Sequence, residues 1–129
     1  MRRSVRLQPT EVELQILRIL WEIGPSPVRE IHKRLNAEKG TNYSTTVKML
    51  AVMLDKGLVK RDESARPHIY RASRTQQRTQ KQMLVGLIDK AFDGSAMSLV
   101  LQALSSRPAS KTELEEIRRL IDRLEGKSR

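Results

Sequence analysis

The segment Ser44-Thr45-Thr46-Val47-Lys48-Met49 offers the most recognition chemistry in this chain. Its hydroxyls and ammonium group can hydrogen-bond to phosphate oxygens or base edges. Met49 and the nearby Val52 can meet thymine methyl groups. Hydrolytic, redox and metal chemistry find less material. The 129 residues include two histidines, His32 and His68, and no cysteine. That removes a thiol nucleophile, a disulfide framework and any Cys-ligated metal. The glycines are scattered and form no phosphate loop, and no G-x-S-x-G or H-E-x-x-H string occurs. Carboxylates interleave with bases, as in Glu113, Glu115, Glu116, Arg118 and Arg119, the pattern of a solvated helix face. The expectation is a binding protein rather than an enzyme, with no cofactor and no metal.

Charge narrows the partner. The net charge is +10, and residues 1–74 hold 15 basic against 8 acidic side chains. Such an excess fits DNA, RNA, an anionic membrane surface or an acidic protein. Arg2, Arg3 and Arg6 form a basic arm, and Lys60, Arg61, Arg66 and His68 form a second cluster. Contacts of this kind supply affinity and salt dependence rather than sequence information. Aromatic residues are only 3 % of the chain, which disfavours RNA binding by base stacking. No apolar run approaches the ~18 residues of a membrane span. The start, Met1 to Pro9, is basic with no apolar stretch behind it. The expectation is therefore a soluble cytoplasmic protein without a signal peptide or membrane contact.

These side chains need elements to position them. Thr10-Glu11-Val12-Glu13 reads as a capping box ahead of a helix over about 10–23, with Val12, Ile16, Ile19, Leu20 and Ile23 on one stripe. Ser26-Pro27 reads as a cap with Pro at the first helical position, opening a second helix with Val28, Ile31, His32 and Leu35. Asn42-Tyr43-Ser44 opens a third, closed by Lys56-Gly57. If Val47, Leu50, Ala51 and Leu54 face its core, Thr45, Lys48, Met49, Val52 and Lys56 fall on the other side. Met53 reads as core. Ser44, Thr45, Thr46 and Lys48 are the expected groove contacts. Leu58–Asp62 and His68–Ala72, around the polar turn 63–67, read as a β-hairpin. Three helices and a hairpin make a winged helix-turn-helix, so the fold class is mainly α with residues 1–74 as a DNA-binding domain.

Residues 75–129 read as a three-helix dimerisation domain. Leu84, Leu87, Ile88 and Phe92 share a stripe on a fourth helix. Val100, Leu101 and Leu104 line a fifth, capped by Ser95. Leu114, Ile117, Ile121 and Leu124 form an a/d seam on a sixth, behind Ser110. So small a set of helices buries little by itself, and a second copy would complete its core. The alternative is that these stripes fold back on residues 1–74 as a monomer.

Leu7-Gln8-Pro9-Thr10-Glu11-Val12-Glu13-Leu14-Gln15-Ile16-Leu17 with Leu20-Trp21, and Asn42-Tyr43-Ser44-Thr45-Thr46-Val47 with Leu50, Leu54 and Lys56-Gly57-Leu58-Val59, resemble the BlaI/MecI/CopY family of penicillinase repressors. His68-Ile69-Tyr70-Arg71-Ala72 is similar to that family's second wing strand. Asp93-Gly94-Ser95, Leu99-Val100-Leu101 and Leu114 to Ile121 are similar to its dimerisation helices. The resemblance spans about residues 7–125 and implies a dimeric repressor on a palindromic double-stranded DNA operator. Members governing β-lactam resistance are cleaved in the fifth helix after a membrane sensor acts. The matching bond here is Gln102–Ala103, where those members carry Asn–Phe. Copper-responsive members bind metal through C-terminal cysteines, which this chain lacks. A winged-helix adaptor binding an acidic protein is the alternative from another class.

Overall fold

A computed structural model describes residues 8–126. In chain order the elements are α1 (Glu11–Ile23), α2 (Val28–Lys39), α3 (Tyr43–Lys56), β1 (Val59–Asp62), β2 (Ile69–Ala72), α4 (Gln76–Ala91), α5 (Ala96–Ser106) and α6 (Lys111–Leu124). The fold is mainly helical, with one small antiparallel hairpin after the third helix.

The capping box at α1 forms as its sequence demands. Thr10 Oγ1 accepts from the Glu13 amide at 3.2 Å, and Glu13 Oε1 accepts from the Thr10 amide at 3.0 Å. Ser26 behaves differently from its expected role as a cap. Its hydroxyl donates to the Gly24 carbonyl at 2.8 Å, so α2 starts from Pro27 without a side-chain cap. The Ser26 backbone instead exchanges two hydrogen bonds with Tyr70, of 2.9 and 2.8 Å. This isolated bridge lays the α1–α2 connection along β2, on the edge away from β1. Local capping chemistry lost here to a tertiary pairing.

The hairpin pairs Val59 with Ala72, Lys60 with Arg71, Arg61 with Tyr70 and Asp62 with Ile69. Because side chains alternate across a strand, Val59, Arg61, Tyr70 and Ala72 share the inner face. Val59 and Tyr70 are buried there, while Lys60, Asp62 and Arg71 stand outward and exposed. The core joins these strands to α1 (Ile16, Leu17, Ile19, Leu20), α2 (Ile31, Leu35) and α3 (Leu50, Met53).

The chain divides into two compact units, the first ending at Gly86 and the second starting at Leu87. The division falls inside α4. Polar ties hold the start of α4 in the first unit. Trp21 Nε1 donates to the Arg74 carbonyl at 2.9 Å, Arg74 Nη1 donates to Gln82 Oε1 at 3.0 Å, and Thr79 is buried. Gln8 lies so close to Gly86 that a Cβ there would collide with its amide nitrogen. The contact is with the end of a flexible side chain, which can shift to make room.

In the second unit, Asp93 and Gly94 adopt left-handed backbone angles that turn the chain from α4 to α5. Ser95 caps α5, and Ser110 with Glu113 forms a second capping box at α6. No described residue of this unit is buried. The expected seam residues Leu87, Val100, Leu101, Leu104, Leu114, Ile121 and Leu124 are exposed, as is Leu84 in the first unit; Ile88, Phe92 and Ile117 are half-buried.

Candidate nucleic-acid interface

The third helix is held by both ends. Asn42 caps its start through a 3.4 Å bond from the Thr45 amide, and its Oδ1 also accepts from the Thr45 hydroxyl at 2.9 Å. Gly57 ends it in the left-handed conformation that a Cβ would disfavour. At that same end Lys56 Nζ bonds both oxygens of Glu13, at 3.0 and 2.9 Å. Glu13 is 5 % exposed, so one carboxylate closes the α1 cap and clamps α3. Lys56 is therefore a structural cation rather than a member of the outer face. Its α1 partner lies 43 positions away and has no local sequence signal.

The inward face of α3 is rotated by about a quarter-turn from the expected one. Thr46, Leu50 and Met53 are fully buried, with Met49 and Leu54 packed against the core; Val47 and Ala51 are exposed. Thr46, expected in the groove, is thus turned inward in the protomer. Its hydroxyl lies 2.9 Å from Nδ1 of His32, whose ring meets Tyr43 edge-on at 5.3 Å. A buried hydroxyl is tolerated when its hydrogen bond is supplied, and α2 supplies it. The bulk of Met53 also buries more apolar surface than Ala51 would. Met49, expected in the groove, lies half against the core.

What remains outward is Ser44, Thr45, Lys48, Ala51, Val52 and the acidic Asp55, with Tyr43 and Val47 along one side. Lys48 makes no ion pair among the described residues. Tyr43 and Val47 share a groove with Arg29 of α2 and with Pro67 and His68 at the hairpin tip. The groove joins the α3 surface to the hairpin.

The basic residues of the hairpin separate by face. Arg61 points inward, where Nη1 donates to the Tyr70 hydroxyl at 3.3 Å and Nε donates to Glu63 at 3.0 Å. The Tyr70 hydroxyl, then Glu63, hold the Arg61 guanidinium protonated above its ordinary range; the same hydrogen bond from Arg61 holds the Glu63 carboxyl below its own. Asp62 is likewise lowered, by hydrogen bonds from Ser64. Arg66 folds back onto the carbonyls of Glu63 and Ala65. Both arginines expected to grip phosphate are thus engaged within the wing.

Lys60 stays outward, with Arg71 directly across the ladder. Like charges placed opposite each other destabilise a strand pair, and neither has an ion-pair partner among the described residues. Arg71 is a basic residue of this surface that hairpin signals alone do not single out. The period-two alternation it shares with Lys60 across the pair is the clue that does. Arg6, expected on the same surface, lies outside the described residues. Gln102 and Ala103 are exposed on α5, within its helical hydrogen bonding.

Three helices, a hairpin flanking the third, and an outward third-helix face joined to that hairpin define a winged helix-turn-helix DNA-binding protein. The chain belongs to the penicillinase repressor family, whose profile matches residues 9–123. That family comprises DNA-binding transcriptional repressors, regulators rather than enzymes. A comparison with curated proteins returns no match. Among the described residues no helix is long and apolar enough to cross a membrane.

Proposed function

We propose that the protein represses transcription in the cytoplasm as a homodimer on a palindromic operator, each α3 entering one major groove. The observation that carries this reading is the outward face of α3, where Ser44, Thr45, Lys48 and Val52 stand exposed without structural employment in the core. Hydroxyls and Lys48 suit phosphates and base edges, and Val52 with Ala51 suits thymine methyls. The outward Lys60–Arg71 pair supplies phosphate contacts that relieve its own repulsion. The apolar faces of α5 and α6 join two copies, setting half-sites about one helical turn, ~34 Å, or a multiple apart. Release by proteolysis would sever α5 at Gln102–Ala103, parting Val100 and Leu101 from Leu104 on that face.

The test is a titration of promoter fragments and random duplex at several salt concentrations. A cognate fragment should outcompete random duplex by ~10³ or more. If each protomer contributes about four phosphate contacts, the log–log salt slope should be on the order of −7. Equal affinity for both duplexes would remove the operator from the proposal and leave only polyanion binding.

A further inference from the structure

Beside the C-terminal end of α3 lies a cavity of about 60 Å³, lined by none of the outward residues Ser44, Thr45, Lys48 and Val52. Pro9, Leu17 and Leu58 give it an apolar side, and Ser73, Arg74 and Thr79 a polar one. Lys56 and Gly57 of α3 border it, so it sits where the end of that helix, both inner ends of the hairpin and the start of α4 meet.

Two features of the lining point to a ligand. Ser73 Oγ is buried with no hydrogen-bond partner among the described residues. Buried hydroxyls in folded proteins nearly always have one. Beside it Arg74, an exposed residue, has no carboxylate partner among the described residues; its Nη1 donates at 3.0 Å to the neutral side chain of Gln82. The neighbouring cation, Lys56, is already neutralised by Glu13. An exposed guanidinium at the mouth and an unpaired buried hydroxyl beside an apolar wall match a ligand with one anionic head and a short hydrocarbon tail. The volume, at roughly 10–15 Å³ for each water-sized position, limits it to roughly four to six heavy atoms.

We propose that this cavity binds a short-chain monocarboxylate, with its carboxylate on Arg74 and the Ser73 hydroxyl and its alkyl end on Leu17 and Leu58. The inorganic phosphate ion fits less well, because oxygens turned to the apolar wall would lose water without gaining a partner. An occupant touches the elements that hold α3 and the hairpin in register. The binding claim itself stands apart from the operator reading, since it concerns the free protein.

Trp21 provides the readout: it is the single tryptophan, and its Nε1 is bonded to the Arg74 carbonyl at 2.9 Å. The full chain, without DNA, is titrated with sodium propionate at constant ionic strength while Trp21 emission is followed. A saturable change with a millimolar midpoint is expected, with none from propionamide and a weaker response to phosphate. Arg74→Gln and Ser73→Ala should each raise the midpoint by about tenfold, the scale of a lost charge-assisted hydrogen bond. Both should leave the circular dichroism of the free protein unchanged, since neither removes an apolar core group. The proposal is overturned by no saturable change, by an equal response to propionamide, by tighter binding of phosphate, or by variants that bind propionate like the parent.

Discussion

The two units use the same local grammar and end with opposite surfaces. Helices α1 and α6 each begin with a capping box and carry an apolar stripe. In the first unit that stripe goes dry: Ile16 is fully buried and Leu17 and Leu20 nearly so. In the second unit Leu124 remains 78 % exposed, Leu101 59 % and Met97 71 %. Capping and periodicity therefore decide where helices start and which sides are apolar. They do not decide whether those sides meet anything. The first unit has a sheet and three helices to close around one core, whereas the second has too few elements to enclose its own. Its exposed apolar surface is the physical ground for proposing a second copy there.

The contrast can be broken most sharply at the exposed seam. Ile121→Asp places a charge on a residue that is 47 % exposed in the protomer. Sedimentation should show the mass halved, and operator affinity should fall on the order of 10²–10⁴, the scale of lost bivalency. An unchanged mass would place the partner surface elsewhere. In the first unit, Leu50→Ala should lower stability by about 2–5 kcal/mol in urea unfolding while leaving the mass of the folded protein unchanged. Next in size is Lys56→Met, which strands the Glu13 carboxylate. Because the Lys56 side chain is 25 % exposed, the expected loss is about 1–3 kcal/mol rather than the full cost of a buried pair. Adding Glu13→Gln should recover part of it, and no recovery would argue against a direct pair.

Smaller effects probe the proposed DNA face. Lys48→Ala should weaken operator binding a few-fold and reduce the salt slope by about one for each phosphate it no longer neutralises. An unaltered slope would mean that Lys48 faces no phosphate. The smallest effect concerns the wing. Glu63 is held below its usual 4.5 by Arg61. Its contact is therefore at full strength above that pH and fades as pH falls through the lowered value. Carboxyl NMR should find the Glu63 midpoint below 4.5 and return it toward that value in Arg61→Met. An ordinary midpoint in the parent would show that Arg61 is not held inward.

Several features are legible in the chain itself, because their physics is local. The Thr10 and Ser110 caps, the Gly57 helix end, the hairpin between Val59 and Ala72 and the outward position of Lys48 all follow from spacing within a few residues. So does the family, through strings such as Asn42 to Val47. What spacing leaves open is rotation and partnership. A quarter-turn of α3 is settled by His32, which gives Thr46 a buried partner, and by the greater volume of Met53 over Ala51. The facing of the hairpin withdraws Arg61 toward Tyr70 and Glu63 and leaves Lys60 beside Arg71. Glu13 finds Lys56 across 43 positions, and Ser26 gives up a cap to pair with Tyr70. The sequence alone determined the elements, their apolar stripes and a basic, cysteine-free chemistry, because propensity, capping and charge act over one or two helical turns. Only the tertiary structure decided which hydroxyl is buried, which cation is bound and which stripe stays wet. Each of those depends on a partner that the neighbouring sequence does not contain.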